Sequence, residues 1–229
     1  HVSRIGDTLL ATPALRAIAE AHPGARLTVL AHPHRAEVLQ HLPFIARADG
    51  ITKNSARFLG WLGGQRYDLA FVFGHDQALV AYALRVARRV VAFRQQEDAL
   101  NARLQPAVAE PARHAQHAVQ GLLALPAALD IHTRHHRLAF CVTPAEAAWA
   151  RKTRADTLPP RAGPLIGLQI ASFPTKAWRD WPVEHFEQLC QRILDAHPGA
   201  HFLIFGGSEE KLRTEALRRR FASHASLFA

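Results

Sequence analysis

Ser172, Thr175 and Lys176 gather two hydroxyls and an ammonium in one short loop, between the apolar run 165–170 and a helix whose first turn is marked by Pro182. Such groups, with the unpaired N–H groups of a helix start, suit an anion such as a diphosphate. An ordinary strand-to-helix connection with solvated polar residues uses the same residue types, so chemistry alone leaves both readings open. Arg179 lies in the same segment and offers a second cation. A lone carboxylate, Asp7, follows Gly6 where a short apolar stretch turns into a helix. It stands at a strand's carboxyl end, and it could equally do no more than favour the N-terminal dipole of that helix. Gly74, His75, Asp76 and Gln77 follow the strongly apolar run 67–73 and are delivered to the same sheet edge as Asp7. Gly207, Ser208 and Glu209 form a further loop after an apolar run, where glycine lets the backbone approach a ligand closely.

The elements that position these residues alternate between strand and helix. The apolar run 165–170 has the length and branching of a strand covered on both faces. After it, Phe186, Leu189, Cys190, Ile193 and Leu194 recur with the spacing of one buried helical stripe. Upstream, residues 2–5 read as the end of a strand, Thr12 and Pro13 as the cap of a continuing helix, and 26–31 as the next strand. Helix is expected over 35–42, 55–62, 78–87 and 115–129, and strand over 44–48, 67–73, 90–93 and 138–141. The polar stretch up to Arg113 reads as a surface excursion whose Arg94, Arg103 and Arg113 are either solvated or meet phosphates. Thr143, Pro144 and Glu146 spell a capping box for a helix running to Thr157. Pro159, Pro160 and Pro164 then rule out both helix and sheet ladder and mark a domain linker. A strand over 200–205, a turn and a basic helix from Lys211 complete the order. The phrase Ala-His-Pro-Gly-Ala occurs at 21–25 and again at 196–200, each time between a helix and a strand, which fits two similar Rossmann-like halves.

Composition narrows the class of function. A 229-residue chain that is 48% hydrophobic can bury one large core or two modest ones. Charges or histidines interrupt every apolar run, so a membrane span and a signal peptide are both unexpected, and a cytoplasmic location is expected. The net charge of +9 points to an acidic partner, whether nucleic acid, anionic membrane or phosphorylated substrate. Aromatics are not interleaved with the basic runs as stacking platforms, which disfavours nucleic acid. Cys141 and Cys190 sit far apart among apolar neighbours and read as reduced core thiols. His135 and His136 are adjacent, so their side chains diverge, and no metal site is expected. The sequence opens at His1 and contains no methionine, so it is read as a piece of a longer chain.

The polar loop, Lys176, the Trp181-Pro182 pair and a helix beginning Glu184-His185-Phe186 resemble the donor-binding segment of glycosyltransferase family 9, the ADP-heptose:lipopolysaccharide heptosyltransferases. The resemblance runs from residue 3 to the chain end. This sequence departs from the family's Lys-x-Trp-Pro spelling by placing extra residues between Lys176 and Trp181. The resemblance implies an α/β, GT-B architecture of two Rossmann-like domains facing a cleft: an acceptor-side domain over 1–158 and a donor-binding domain, incomplete here, over 159–229. It implies an inverting transfer of heptose from ADP-heptose to a phosphorylated lipopolysaccharide inner-core acceptor, without cofactor or metal. In that reading Asp7 is the general base. Ser172, Thr175, Lys176, Arg179, Gly207, Ser208 and Glu209 bind the donor, and Gly6, His75, Asp76 and Gln77 bind the acceptor. A peripheral contact with the inner face of the inner membrane belongs to the same expectation. The family also carries an Asp-x-Gly-x-x-His donor segment; this sequence ends before one, so half a donor site is expected. The alternatives are a GT-B transferase for another nucleotide sugar, or a catalytically silent nucleotide-binding or basic nucleic-acid-binding protein.

Overall fold

The structure, a computed structural model, describes residues 4–61, 64, 66–112, 116–158, 163–170 and 178–228. The chain divides into two compact units, His1–Thr143 and Pro144–Ala229.

In the first unit, α1 (Ile5–Leu10) and α2 (Thr12–Ala21) follow one another directly. Ile5, expected at the end of a strand, is already helical, and Gly6 and Asp7 lie in the first turn rather than in a turn before it. Pro13 opens α2, where its fixed φ and missing N–H cost nothing, and Ala14, Leu15 and Ile18 form the buried stripe. Strand β1 (Thr28–Ala31) pairs in parallel with β2 (Arg47–Gly50). Between them runs a 3-10 helix, Pro33–Leu39, in place of the α-helix expected over 35–42; His32 caps it by accepting the His34 N–H at its Nδ1, 3.3 Å away. The second strand starts three residues later than its apolar run, because Ile45 donates its N–H back to the Leu42 carbonyl in a turn.

Helix α3 (Lys53–Phe58) is capped by Thr52 and ends before Gly60, whose φ of +81° suits glycine. Strand β3 (Tyr67–Val72), helix α4 (Gln77–Val86) and strand β4 (Ala87–Phe93) form a parallel crossover, in register Tyr67↔Ala87 to Val72↔Ala92. Residues Val90 to Phe93 are buried throughout, as a central parallel strand requires. The polar stretch expected to be a surface excursion contributes a short helix α5 (Asp98–Asn101) and a short strand β5 (Ala107–Val108), which pairs with Ala92 and Phe93. Helix α6 (Ala118–Ala127) follows. No strand forms over 138–141: the Ala139 N–H goes instead to the Thr12 hydroxyl, 2.8 Å away, and that segment closes over the core.

The second unit opens with α7 (Pro144–Thr157), so the division falls before this helix rather than at the proline-rich stretch after it. Strands β6 (Leu165–Gln169), β7 (His201–Phe205) and β8 (Ala225–Phe228) form a parallel sheet in that order, with α8 (Val183–Ala196) and α9 (Lys211–Arg220) as crossovers. Gly167 and Gln169 are exposed, so β6 is not covered on both faces as its apolar run suggested; it is an edge strand. Leu168, Ile170, Cys190, Phe202, Ile204 and Leu217 build the core. Each such large side chain, fully buried, is worth about 1.5–3 kcal/mol. Gly163 permits a close backbone approach: a Cβ there would sit 2.3 Å from the Gly199 carbonyl carbon. Among the described residues, no sheet contains strands from both units.

Candidate functional site

Parallel strands joined by helices bring the loops after each strand to one edge, so the loops of each sheet gather at the carboxyl ends of its own strands. In the first unit, the loop after β3 turns at Gly74, whose φ of +149° is open to glycine and rarely to other residues. His75 follows, stacked on Phe93 at the end of β4 with ring centroids 5.5 Å apart. Its Nε2 lies 3.0 Å from the Glu110 carboxylate, which stands just past β5, and both side chains are 38% exposed. The segments just past β3 and β5 thus bring an imidazole and a carboxylate together, and Phe93 of β4 backs the imidazole ring.

Asp76 takes a different part. Its Oδ1 accepts the N–H groups of Ala78 and Leu79, at 3.1 and 3.3 Å, and its Oδ2 pairs with Lys53 at 2.7 Å. This carboxylate caps α4 and ties it to α3, while Gln77 is the first residue of the helix. Asp7 is exposed in the first turn of α1, and its Oδ2 receives the Arg4 N–H at 3.4 Å, a bond at the long limit. Beside it, a Cβ at Gly6 would meet none of the described residues within 4 Å. A carboxylate next to an open surface fits a base acting on a bound hydroxyl, while its bond to Arg4 is that of a helix cap. A largely apolar cavity of about 730 Å³ elsewhere in the unit is lined by Leu15, Ile18, Leu69, Phe71 and their neighbours. Its lining includes Thr8 but neither Asp7 nor His75, and most of its walls are apolar side chains packed in the unit, so it is set aside as a candidate site.

In the second unit, Ser172, Thr175 and Lys176 lie outside the described residues. The segment that follows is well defined. The Arg179 guanidinium lies over the Trp178 ring, 4.7 Å from its centroid, and both residues are exposed. Asp180 turns inward to meet Arg213 at 2.7 Å. Trp181 packs against His185 and Phe186 in the first turn of α8, with centroids 5.3 and 5.0 Å apart. The loop after β7 runs through Gly206 and Gly207 into a single 3-10 turn, Ser208–Glu210. There the Gly207 N–H is held by Glu210 Oε2 at 2.7 Å, whereas Glu209, the carboxylate the sequence reading chose, is exposed.

His75 and Gly207 thus lie just past β3 and β7, Asp7 lies in the first turn of α1, and Arg179 lies shortly before α8. Glu110, Glu210, Asp180 and Arg213 were not anticipated. Glu110 sits in a stretch read as surface, and no local pattern marks it. Asp180 and Arg213 are far apart in sequence and are joined only by the fold. Cys190 has no place in the chemistry: burial pushes its thiol up to about 11. Among the described residues, no cluster of three or more His, Cys, Asp or Glu could hold a metal ion.

No family model matches the sequence, and no curated protein does. Solved structures do match. A glycosyl transferase family 9 protein from Veillonella parvula aligns over 96% of this chain and 64% of its own, with a TM-score of 0.78 at 16% identity. E. coli ADP-heptose lps heptosyltransferase II aligns over all of this chain and 71% of its own, with a TM-score of 0.72 at 18% identity. E. coli heptosyltransferase WaaC with ADP aligns over all of this chain and 73% of its own, with a TM-score of 0.68 at 18% identity. The chain therefore spans roughly two thirds to three quarters of the structures it matches, and with them it shares the α/β, GT-B-type fold of the family 9 glycosyl transferases.

Proposed function

We propose that the complete protein is an inverting glycosyltransferase of the family 9 kind, moving heptose from ADP-heptose to a phosphorylated lipopolysaccharide inner-core acceptor. The observation that supports this reading is the likeness of fold, over 96% or more of the chain, to a family 9 glycosyl transferase and to two E. coli heptosyltransferases. The residues are consistent with it. An acceptor hydroxyl bound beside Gly6 gives its proton to the Asp7 carboxylate as its oxygen attacks the anomeric carbon. The bond from that carbon to the diphosphate oxygen breaks on the opposite face, and ADP leaves with the electron pair, so the anomeric configuration inverts.

Positive charge offsets the charge that grows on the leaving diphosphate. Lys176 is assigned this part, and Arg179, exposed in the adjacent segment, is its neighbour in the same role. Ser172, Thr175, Gly207, Ser208 and Glu209 are assigned to the donor, and Gly6, His75 and Gln77 to the acceptor. Asp76 serves acceptor binding indirectly, by capping the helix that carries Gln77. The domain assignment follows: the first unit takes the acceptor and the second the donor. The protein is placed on the cytoplasmic side, with its basic surface against the anionic inner face of the inner membrane; no helix among the described residues is long and apolar enough to cross a membrane.

A panel of nucleotide sugars, assayed with the full-length protein and a heptose-deficient lipopolysaccharide core, tests this. Transfer from ADP-heptose in preference to other donors is the expected result. Transfer from a different donor would keep the reaction and change the substrate. Indifference to all donors would leave a silent nucleotide binder.

A further inference from the structure

Within the segment that departs from the family's spelling, residues 180 and 181 are tied to α9. The Asp180 side chain is 8% exposed, and its carboxylate receives an Arg213 NH1 at 2.7 Å. The second Arg213 nitrogen lies 3.5 Å from the Trp181 carbonyl, so one guanidinium spans two successive residues of the segment. A carboxylate removed this far from water needs such a partner, and losing one member of the pair leaves the other charge buried and uncompensated. Arg213 belongs to the first turn of α9, next to Thr214. Thr214 in turn presses on the other loop: a Cβ at Gly206 would fall 2.5 Å from its Cγ2. One helical turn therefore walls both the segment after the β6 loop and the glycine loop after β7.

We propose that Asp180 and Arg213 are positioning residues of the donor site. Their ion pair fixes residues 180 and 181 to α9 beside the glycine loop and holds the exposed Trp178–Arg179 pair where it meets a nucleoside diphosphate. This inference rests on the reading of that edge as the donor site. Residues 178–181 are, in this inference, a braced arm. Trp181 fixes it to α8 through His185 and Phe186, Asp180 fixes it to α9, and the stacked Trp178 and Arg179 are left facing solvent with a flat ring and a cation. Those two groups suit the aromatic and anionic parts of such a ligand.

The test is ADP binding by calorimetry to the full-length protein, together with donor KM and kcat, for the unsubstituted protein, Arg213→Ala, Arg213→Lys and Asp180→Asn. For Arg213→Ala, ADP affinity should weaken about tenfold and donor KM rise to match, while kcat at saturating donor stays within about twofold, because Arg213 touches no reacting atom. Arg213→Lys, which keeps the charge but loses the fork, should recover most of the affinity. A purely structural brace would lower the melting temperature and leave this KM-against-kcat split unmoved. Unchanged ADP affinity in a folded Arg213→Ala protein overturns the inference and leaves the donor site standing. If Arg213→Ala does not fold, Asp180→Asn decides on the same readout: affinity about threefold weaker supports the brace, and unchanged affinity overturns it. Absence of nucleoside-diphosphate binding by the unsubstituted protein overturns the donor-site reading itself, and this inference with it.

Discussion

Lys176 and Arg179 offer two cations to one diphosphate, and substitution separates their shares. If Lys176 carries the contact, Lys176→Ala weakens donor affinity by about one to two orders of magnitude, as loss of a charge-assisted hydrogen bond does. Turnover falls as well if the same ammonium stabilises the leaving group. Arg179→Ala then has the smaller effect, since its guanidinium is already engaged with the Trp178 ring. Donor titrations of both variants check this. The reverse order would move the phosphate contact to Arg179 while keeping the loop. The same scale shows what a sequence conveys of a site. His75 and Gly207 lie in the loops just past β3 and β7, where the alternation of elements put them, because a side chain's place along a crossover follows from the order of strand and helix, while Asp7 lies inside the first turn of α1 and Arg179 shortly before α8. Which carboxylate engages which partner does not follow from that order. Asp76 spends both oxygens on α4 and Lys53, Glu210 rather than Glu209 holds the Gly207 N–H, and Glu110 reaches His75 across the sheet.

At the scale of elements, the strands and helices with strong periodicity were legible, and those made by pairing were not. Strand β3 and helices α4, α7 and α8 lie within a residue or so of where pattern placed them, since each has its own buried stripe or apolar run. Strand β5 has only two residues and exists because β4 offers an edge, and 138–141 is apolar yet forms no strand because Thr12 takes its N–H. Two predictions belong here. Gly163→Ala should destabilise the protein by about 1–3 kcal/mol, because the new methyl would meet backbone at Gly199 that cannot step aside. Denaturant unfolding measures this, and an unchanged midpoint would mean that the 163–199 approach is looser than described. Glu215 is gripped by Arg218, through bonds of 3.0 and 2.7 Å, and by Arg219 at 3.2 Å. Those hydrogen bonds hold its carboxyl down at about 2, from an ordinary 4.5. Because the folded value is the lower one, this contribution to stability is complete above about pH 4.5 and is lost as pH falls towards 2. Thermal unfolding of Glu215→Gln should accordingly show a shallower loss of stability between those values than the unsubstituted protein. Parallel curves would show that the grip contributes nothing.

Two units form the whole described here, the first with a two-stranded and a three-stranded parallel sheet and the second with one three-stranded parallel sheet, and the fold they share with family 9 transferases covers nearly all of the chain. Two halves were legible in the repeated Ala-His-Pro-Gly-Ala phrase, which ends α2 before β1 and α8 before β7. The placing of α7 with the second unit was not, because a helix's own sequence names its buried face and not the unit it joins. The account gives the acceptor chemistry to the first unit and the donor's charge to the second, so removing the base should slow the reaction without loosening the donor. Asp7→Asn tests this most directly: it keeps the size of the side chain and its hold on Arg4 while removing basicity. Measured in the full-length enzyme with saturating ADP-heptose and acceptor, kcat should fall about 10²–10⁴-fold, with donor affinity nearly unchanged. A kcat equal to that of the unsubstituted enzyme would contradict the mechanism.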